Sequence, residues 1–439
     1  MSEDGGNMNS GDYSYGQGVL EGFGGVGEEE PRFSLNSDVR QLNLWLDEMQ
    51  EKSAFIYAKR LSANDTGATD SHQVGIYLPE AVVHGAMPSI RRFDTQNPDL
   101  NVSCNIRSHG PAKNEVRAVY YNNKYFGGTR DEARLTCWAW GGYQSPMKDP
   151  ENTGALAIFA FSWEKGGLDA DVLDVWVCRS PGEEELIEEQ FGAILPGAAI
   201  SGMLEALRGG VVFQHEPCRD VRIPSEWTDV FPTGKDILEL VFKMSDALSL
   251  SPDERLMKRR ELEFSVFQMV ERSHVLPKIK NGFLAVDDFI AVANSVANRR
   301  KSRSGKSLEL HLGKIFDEEG LKSVGEQCVT ENRKKPDFLF PCCAAYKNLG
   351  FPAQKLRMLG VKTTCKDRWR QVLSEAERIP EKHLFTLQEG VSENQYDEMR
   401  GASITLVVPK GLHRKYPKKV RDKIMTLSEF VADTKKYSY

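Results

Sequence analysis

Four residues pose the chemical question. Asp337 opens the run "DFLF", Lys362 sits in "RMLGVKTT" 25 residues later, and Glu375 follows 13 residues after that. Glu309, in the stretch before them, adds another carboxylate. Hard carboxylate oxygens suit Mg²⁺, an ion that keeps several waters and also touches phosphate. Such a metal stabilises charge on phosphate and lowers the pKa of a bound water. A nearby lysine can orient the attacking water and neutralise developing charge. The set points to metal-dependent phosphodiester hydrolysis, provided that the fold gathers these side chains at one end of a sheet.

The elements that must gather them can be read from the sequence. Pro336 marks a strand start, and Phe338, Leu339 and Phe340 anchor that strand. Further strands are expected in "RMLGVKTT", "HLFTLQ" and "SITLVVP". A helix over "RWRQVLSEAERI" is expected to carry Glu375. Another, starting near Ser307, has Leu308, Leu312 and Ile315 on one face and includes Glu309. A separate helix is expected over 285–300. Ser251-Pro252-Asp253-Glu254 has the form of a helix start, with a capping serine, proline in the first turn and acids at the positive end of the dipole. The sum is an α/β module with a mixed central sheet.

The region from about 72 to 215 reads differently. Short runs with β-character, such as "HQVGIYLP", "RLTCWAW" and "ALAIFAFSW", are punctuated by Gly, Pro, Asn and Asp, as in a barrel or sandwich. Before it, Leu42, Leu44, Trp45 and Met49 make an approximate helical stripe. Residues 1–35, with seven acidic residues and one basic, are expected to form a disordered acidic tail. The expected organisation is therefore a tail over 1–35, a mainly-β domain over 36–210, a linker over 211–235 and an α/β domain over 236–439. A chain of 439 residues is too long for one ordinary core.

Composition excludes several classes. No apolar run approaches the roughly 18 residues of a transmembrane helix, and the N-terminus lacks the basic start and apolar core of a signal peptide. No membrane association and a cytoplasmic location are expected. The eight cysteines form no C-x-x-C pair and are expected to be reduced, mostly buried thiols without structural metal. The net charge of −6 hides an asymmetry: residues 1–235 carry 20 basic and 35 acidic side chains, residues 236–439 carry 37 and 28. The basic half implies an anionic partner. "RRKSRSGKS" (299–307) ends like a nucleotide-binding loop, but Arg300 stands where that motif needs its first glycine, so no nucleotide cofactor is expected. Contact with a phosphate backbone suits this segment better.

Longer motifs make the comparison specific. "KKPDFLFP", "VKTTCKDRWRQ", "HLFTLQEGVS" and "ANSVANRRKSRSGKSLELHL" resemble the catalytic domain of EcoRII-type restriction endonucleases, of the PD-(D/E)XK nuclease superfamily. "KRLSANDTGATDSHQVGIYLP" and "DPENTGALAIFAF" resemble that family's N-terminal half. The resemblance covers about residues 40–439. It implies a restriction-endonuclease-like α/β domain and an N-terminal B3-like pseudobarrel. It implies Asp337 and Glu375 as Mg²⁺ ligands, Lys362 as the catalytic lysine and Glu309 as an auxiliary acid. The position two before Lys362 is Gly360, so the usual acid-x-lysine is absent and Glu375 must substitute.

The resemblance also implies partners: double-stranded DNA, a homodimeric enzyme and a CCWGG-like target. Lys366, Asp367 and Arg368 correspond to readers of C·G pairs; lysine or arginine can donate to guanine and aspartate can accept from cytosine N4. The N-terminal domain is implied to bind a second, effector copy of the target and to relieve autoinhibition. Its DNA contacts fall here on Arg60, Asn64, His72 and Tyr77 in one arm, and on Arg130, Glu132 and Arg134 in the other. Gly128 and Ala133 stand where basic residues are expected, and residues 36–235 carry 19 basic against 28 acidic side chains. Weaker or more salt-sensitive effector binding is therefore expected.

Two competing classes remain. A DNA-binding regulator with a degenerate nuclease domain would be expected to lose members of the Glu309/Asp337/Lys362/Glu375 set. A structure-selective nuclease would not need Lys366-Asp367-Arg368.

Overall fold

The computed structural model describes residues 37–437, apart from 70–74, 111–112, 139–144, 209–221, 246, 284, 322–327 and 367. The expected tail, much of the expected linker, and the candidate residues His72 and Asp367 lie outside the described residues.

The N-terminal strands are β1 (Phe55–Arg60), β2 (Ile76–Leu78), β3 (Asp99–Ile106), β4 (Lys113–Tyr121), β5 (Glu132–Thr136), β6 (Leu156–Ser162), β7 (Val172–Val177) and β8 (Ala199–Met203). They form one sheet in the order β2-β5-β4-β3-β7-β6-β1-β8. The β3–β7 pair is parallel and the other pairs are antiparallel. Tyr57, Phe159 and Phe161 pack on one face, and Ile56, Ile158 and Trp176 on the other, beneath the helix Ser37–Glu51. A strand covered on both faces has no polar side, which is why all seven residues of β6 are buried and "LAIFAFS" shows no alternation. The helix buries Leu42, Trp45, Leu46 and Met49, while Leu44 is 59% exposed. The expected stripe is thus corrected from Leu44 to Leu46, which restores the i, i+3, i+4, i+7 spacing.

The second sheet holds β9 (Phe338–Phe340), β10 (Arg357–Val361), β11 (Lys382–Phe385) and β12 (Ile404–Val407), in the order β12-β11-β10-β9. β9 runs antiparallel to β10, and β10, β11 and β12 are parallel. All four expected strands and the mixed sheet are present. Ser251 opens the helix Pro252–Asn281 through a reciprocal capping box with Glu254, as the sequence suggests.

Three local expectations are corrected. The helices expected over 285–300 and from Ser307 are one, Val286–Glu318, which runs straight through 299–307. The helix expected to carry Glu375 is only Trp369–Leu373; Ala376, with φ 49°, turns the chain out of helical geometry, so Glu375 lies on the turn behind it. Cys328 and Cys343 form a disulfide across a Cα–Cα distance of 5.5 Å, because the turn after β9 brings Cys343 back beside the segment before the strand. Those two cysteines are not the free thiols expected. Among the described residues, no helix is long and apolar enough to cross a membrane.

Candidate active site and DNA-recognition surfaces

Because β9 and β10 are antiparallel neighbours, the residue before one and the residue after the other meet at the same end of the sheet. Asp337 and Lys362 occupy those positions. The Val361 N–H donates to Asp337 Oδ2 at 2.7 Å, and Lys362 Nζ lies 3.7 Å from the same oxygen. Both side chains are about four-fifths buried, at 21% and 18% exposure. A lysine at the end of a core strand thus has its partner.

Gly360 explains why no acid stands two residues before Lys362. A Cβ there would sit 2.8 Å from Val372 Cγ2, since the helix Trp369–Leu373 rests on the sheet at this point. A carboxylate at 360 cannot share that space with the helix. The chain leaving the helix supplies one instead. Burial pushes the Glu375 carboxyl up to about 7, opposed by the Lys362 cation and reinforced by the Asp337 charge. Its Oε2 is buried and has no hydrogen-bond partner among the described residues. An orphaned carboxylate oxygen close to a second carboxylate is the donor chemistry Mg²⁺ uses, and that ion needs only one or two protein carboxylates when substrate phosphate and water complete its shell. Asp337 and Glu375 fit that requirement, although among the described residues no three such side chains gather into a full metal cage.

Glu309 stands apart from this group. It lies one helical turn before Gly313, which faces Phe338 with a would-be Cβ contact of 3.8 Å. Its carboxylate pairs with Lys306 at 3.1 Å. Among the described residues, no hydrogen bond or ion pair joins it to Asp337, Lys362 or Glu375.

The candidate recognition segment, Lys366 to Arg368, begins four residues past Lys362. Its backbone is held by one side chain that sequence reasoning missed: Gln388 Oε1 accepts the N–H of Cys365 at 2.9 Å and that of Lys366 at 3.2 Å. Gln388 is buried, donates to the Gly390 carbonyl at 2.9 Å, and receives the Tyr416 hydroxyl on its own carbonyl at 2.8 Å. Its only sequence signal is membership of "HLFTLQEGVS". Lys366 and Arg368 are half-buried.

This same loop is where the two domains meet. A Cβ at Gly154, of the N-terminal domain, would sit 2.6 Å from the Gln388 amide. The Ala63 N–H donates to the Glu389 carbonyl at 3.0 Å. Ser392 Oγ donates to Glu151 Oε1 at 2.6 Å, and Gln395 Nε2 to the Glu151 carbonyl at 2.9 Å. Lys366 also stands near His109 of the N-terminal domain: burial, with Arg179 and Lys366 adding positive charge, holds that imidazole below its ordinary range.

The expected effector contacts divide. Tyr77 and Arg134 are cross-strand partners on β2 and β5, and with Asn64 they line one cleft. Tyr77 is 45% exposed. Glu132 and Arg134 lie on one face of β5, and Arg130 sits just before the strand. The carboxylate receives Arg130 at 2.9 Å and Arg134 at 3.1 Å, and these bonds hold Glu132 below its ordinary pKa despite burial. Arg60 does not fit a DNA-contact role in this geometry. It is 6% exposed, and its guanidinium donates to the carbonyls of Ile194 and Gly154 and to Glu184 and Glu188, the carboxylates at 2.7 Å each.

A mixed sheet with an aspartate and a lysine at one end, a charged segment directly behind the lysine, and a separate β domain docked on the neighbouring 388–395 loop are the arrangement expected of a restriction-endonuclease-type nuclease. Residues 267–431 match the family described as EcoRII C terminal, and residues 50–205 that described as restriction endonuclease EcoRII, N-terminal. The type II restriction enzyme EcoRII of Escherichia coli is 48% identical over 390 residues, covering 89% of this chain and 96% of that protein. The chain belongs to the EcoRII family of type II restriction enzymes, and it is a site-specific endonuclease. The reading as a regulator with a decayed nuclease falls away. Two solved structures of metal-depleted Ecl18kI are also similar. The one with uncleaved, modified DNA has TM-score 0.41 at 18% identity over 48% of this chain and 81% of the other; the one with uncleaved DNA has TM-score 0.39 at 20% identity over 49% and 85%.

Proposed function

We propose that the protein is a homodimeric, Mg²⁺-dependent endonuclease that cuts double-stranded DNA before the first cytosine of a CCWGG-like site, leaving a 5′-phosphate and a 3′-hydroxyl. The observation that supports this most is the single end of one sheet at which Asp337, Lys362 and Glu375 converge, with Lys366 and Arg368 following in the same turn of chain. Asp337 and Glu375 hold the metal, which when bound stabilises charge on the scissile phosphate and makes a water more acidic. Lys362, fixed beside Asp337, orients the attacking water and offsets the charge that grows on phosphate during in-line attack. Glu309 serves as an auxiliary acid on the neighbouring helix. Lys366, Asp367 and Arg368 read C·G pairs, each good contact giving about 1–3 kcal/mol of discrimination. A two-fold symmetric target matches a homodimer.

The N-terminal domain, of B3-like pseudobarrel type, binds a second copy of the site through Asn64, His72, Tyr77, Arg130, Glu132 and Arg134. Arg60 braces the domain instead. Docked on Gln388 and the recognition segment, the domain restrains cleavage until effector DNA is bound. The enzyme acts on DNA in the bacterial cytoplasm and takes no nucleotide cofactor.

Digestion of a plasmid carrying several CCWGG sites, with Mg²⁺ and with the ends sequenced, tests the core of this reading. Wild type should cut at those sites and Lys362→Ala should not. Equal cutting by both proteins, or none by wild type, removes it.

A further inference from the structure

The N-terminal domain is poor in positive charge for gripping a DNA backbone, with 19 basic against 28 acidic side chains over residues 36–235. Its candidate DNA residues nevertheless border a basic cleft of about 1070 Å³, in which basic lining residues outnumber acidic ones two to one. Asn64, Tyr77 and Arg134 form part of one wall, and Arg414, Lys418 and Arg421 of the catalytic domain form part of the other. The latter come from "KGLHRKYPKKVRDK" (410–423), seven basic residues with one acid.

Three of the cleft's four acids are already used, and the fourth, Glu261, is exposed on the helix Pro252–Asn281. Asp65 pairs with Lys59 at 2.7 Å, Glu389 with Lys415, and Glu263 accepts from Ser307 and His311 at 2.7 and 2.9 Å. Arg421 is spent on the turn itself, donating to the carbonyls of Arg414 and Tyr416 at 2.9 and 3.1 Å. Arg414 and Lys418 are exposed, and among the described residues no carboxylate pairs with either. Between them, buried Tyr416 pins the segment to the Gln388 carbonyl. Two uncommitted cations therefore stand on a fixed turn, facing the effector surface across the domain boundary. Guanidinium and ammonium groups so placed suit phosphate oxygens.

We propose that DNA held by the N-terminal domain is also gripped on its phosphate backbone by Arg414 and Lys418, so that the effector site spans both domains. This rests on the effector reading above. It supplies, from the second domain, positive charge that Gly128 and Ala133 fail to provide in the first.

The test is anisotropy of a short fluorescent duplex with one CCWGG site, with EDTA, across a salt series. The full chain carries Lys366→Ala and Arg368→Ala, so that the signal reports on the effector cleft. Adding Arg414→Ala and Lys418→Ala should weaken binding roughly tenfold or more near 0.1 M salt and reduce the log–log salt slope by about 1.8, at about 0.9 per lost phosphate contact. Adding Asn64→Ala and Tyr77→Ala instead should weaken binding with little change in slope. If only the second pair matters, the cross-domain contact is wrong and the effector reading stands. If neither matters, both are wrong.

Discussion

Gln388 holds the backbone of Lys366: its side-chain oxygen accepts that N–H at 3.2 Å and the preceding Cys365 N–H at 2.9 Å. In the proposed base-reading role Lys366 is only as specific as its backbone is fixed, because a misplaced donor reaches the wrong base edge as easily as the right one. Gln388→Ala leaves two amides without their acceptor, at about 1–3 kcal/mol each where water cannot replace it. The cleavage ratio between a CCWGG duplex and one with a single outer C·G pair changed should fall about tenfold. The rate on the unchanged duplex should fall less. An unaltered ratio means that Gln388 serves stability alone.

Glu375 is half-buried, and its Oε2 is buried with no hydrogen-bond partner among the described residues. Glu375→Gln keeps the shape and removes the charge. Mg²⁺-dependent cleavage should drop at least about a hundredfold, since an amide is a poor ligand for a hard cation. The metal-free protein should melt at a higher temperature than wild type near pH 8, because a desolvated charge has been deleted. A variant that cuts normally would move the metal away from Glu375.

Much of this site can be read in the sequence because strand patterns are local. Pro336 and the following three apolar residues define β9, and its pairing with β10 then carries Asp337 to Lys362. Glu375 was legible as a residue but not in its placement: the helix stops at Leu373 because Ala376 takes a positive φ, which no local pattern announces. Gln388 was hidden because its role depends on backbone amides more than twenty residues away. Arg60 misled for the opposite reason. A basic residue in a DNA-binding motif reads as a contact until the fold shows Glu184 and Glu188, more than a hundred residues on, closing over it.

Arg60 provides a clean separation of bracing from binding. Arg60→Ala strands Glu184 and Glu188 without their shared cation, and breaking a buried pair costs about 3–5 kcal/mol. Thermal unfolding should begin several degrees lower. At a temperature where the variant remains folded, its affinity for effector DNA should stay within a few-fold of wild type. A large affinity loss with normal melting would return Arg60 to the DNA surface.

His383, on β11, sets an acid limit on stability. It is 4% exposed and lies edge-on to Phe430, with ring centroids 5.1 Å apart. Burial lowers its pKa from 6.5 to about 4. A folded-state pKa below the unfolded one means that the neutral ring's full contribution is present above about pH 6.5 and is lost as pH falls towards 4. The loss is at most about 3 kcal/mol. His383→Gln should flatten the denaturant midpoint across that window relative to wild type. Some slope should persist, because burial lowers His311 in the same direction. Parallel curves for the two proteins would remove His383 from the acid response.

The Glu151 carboxylate receives Ser392 Oγ at 2.6 Å, one of the bonds that dock the N-terminal domain beside the recognition loop. If docking restrains the enzyme, loosening it should release activity without effector DNA. Glu151→Ala removes a charge-assisted hydrogen bond worth about 1.5–3 kcal/mol. The cleavage rate of a plasmid with one target site should rise about tenfold or more, while the rate on a plasmid with many sites, already relieved by effector copies, should change little. Melting should report the looser contact as an earlier or broader first transition. An unchanged one-site rate in a protein whose domains demonstrably separate more readily would leave the docked arrangement without a regulatory role.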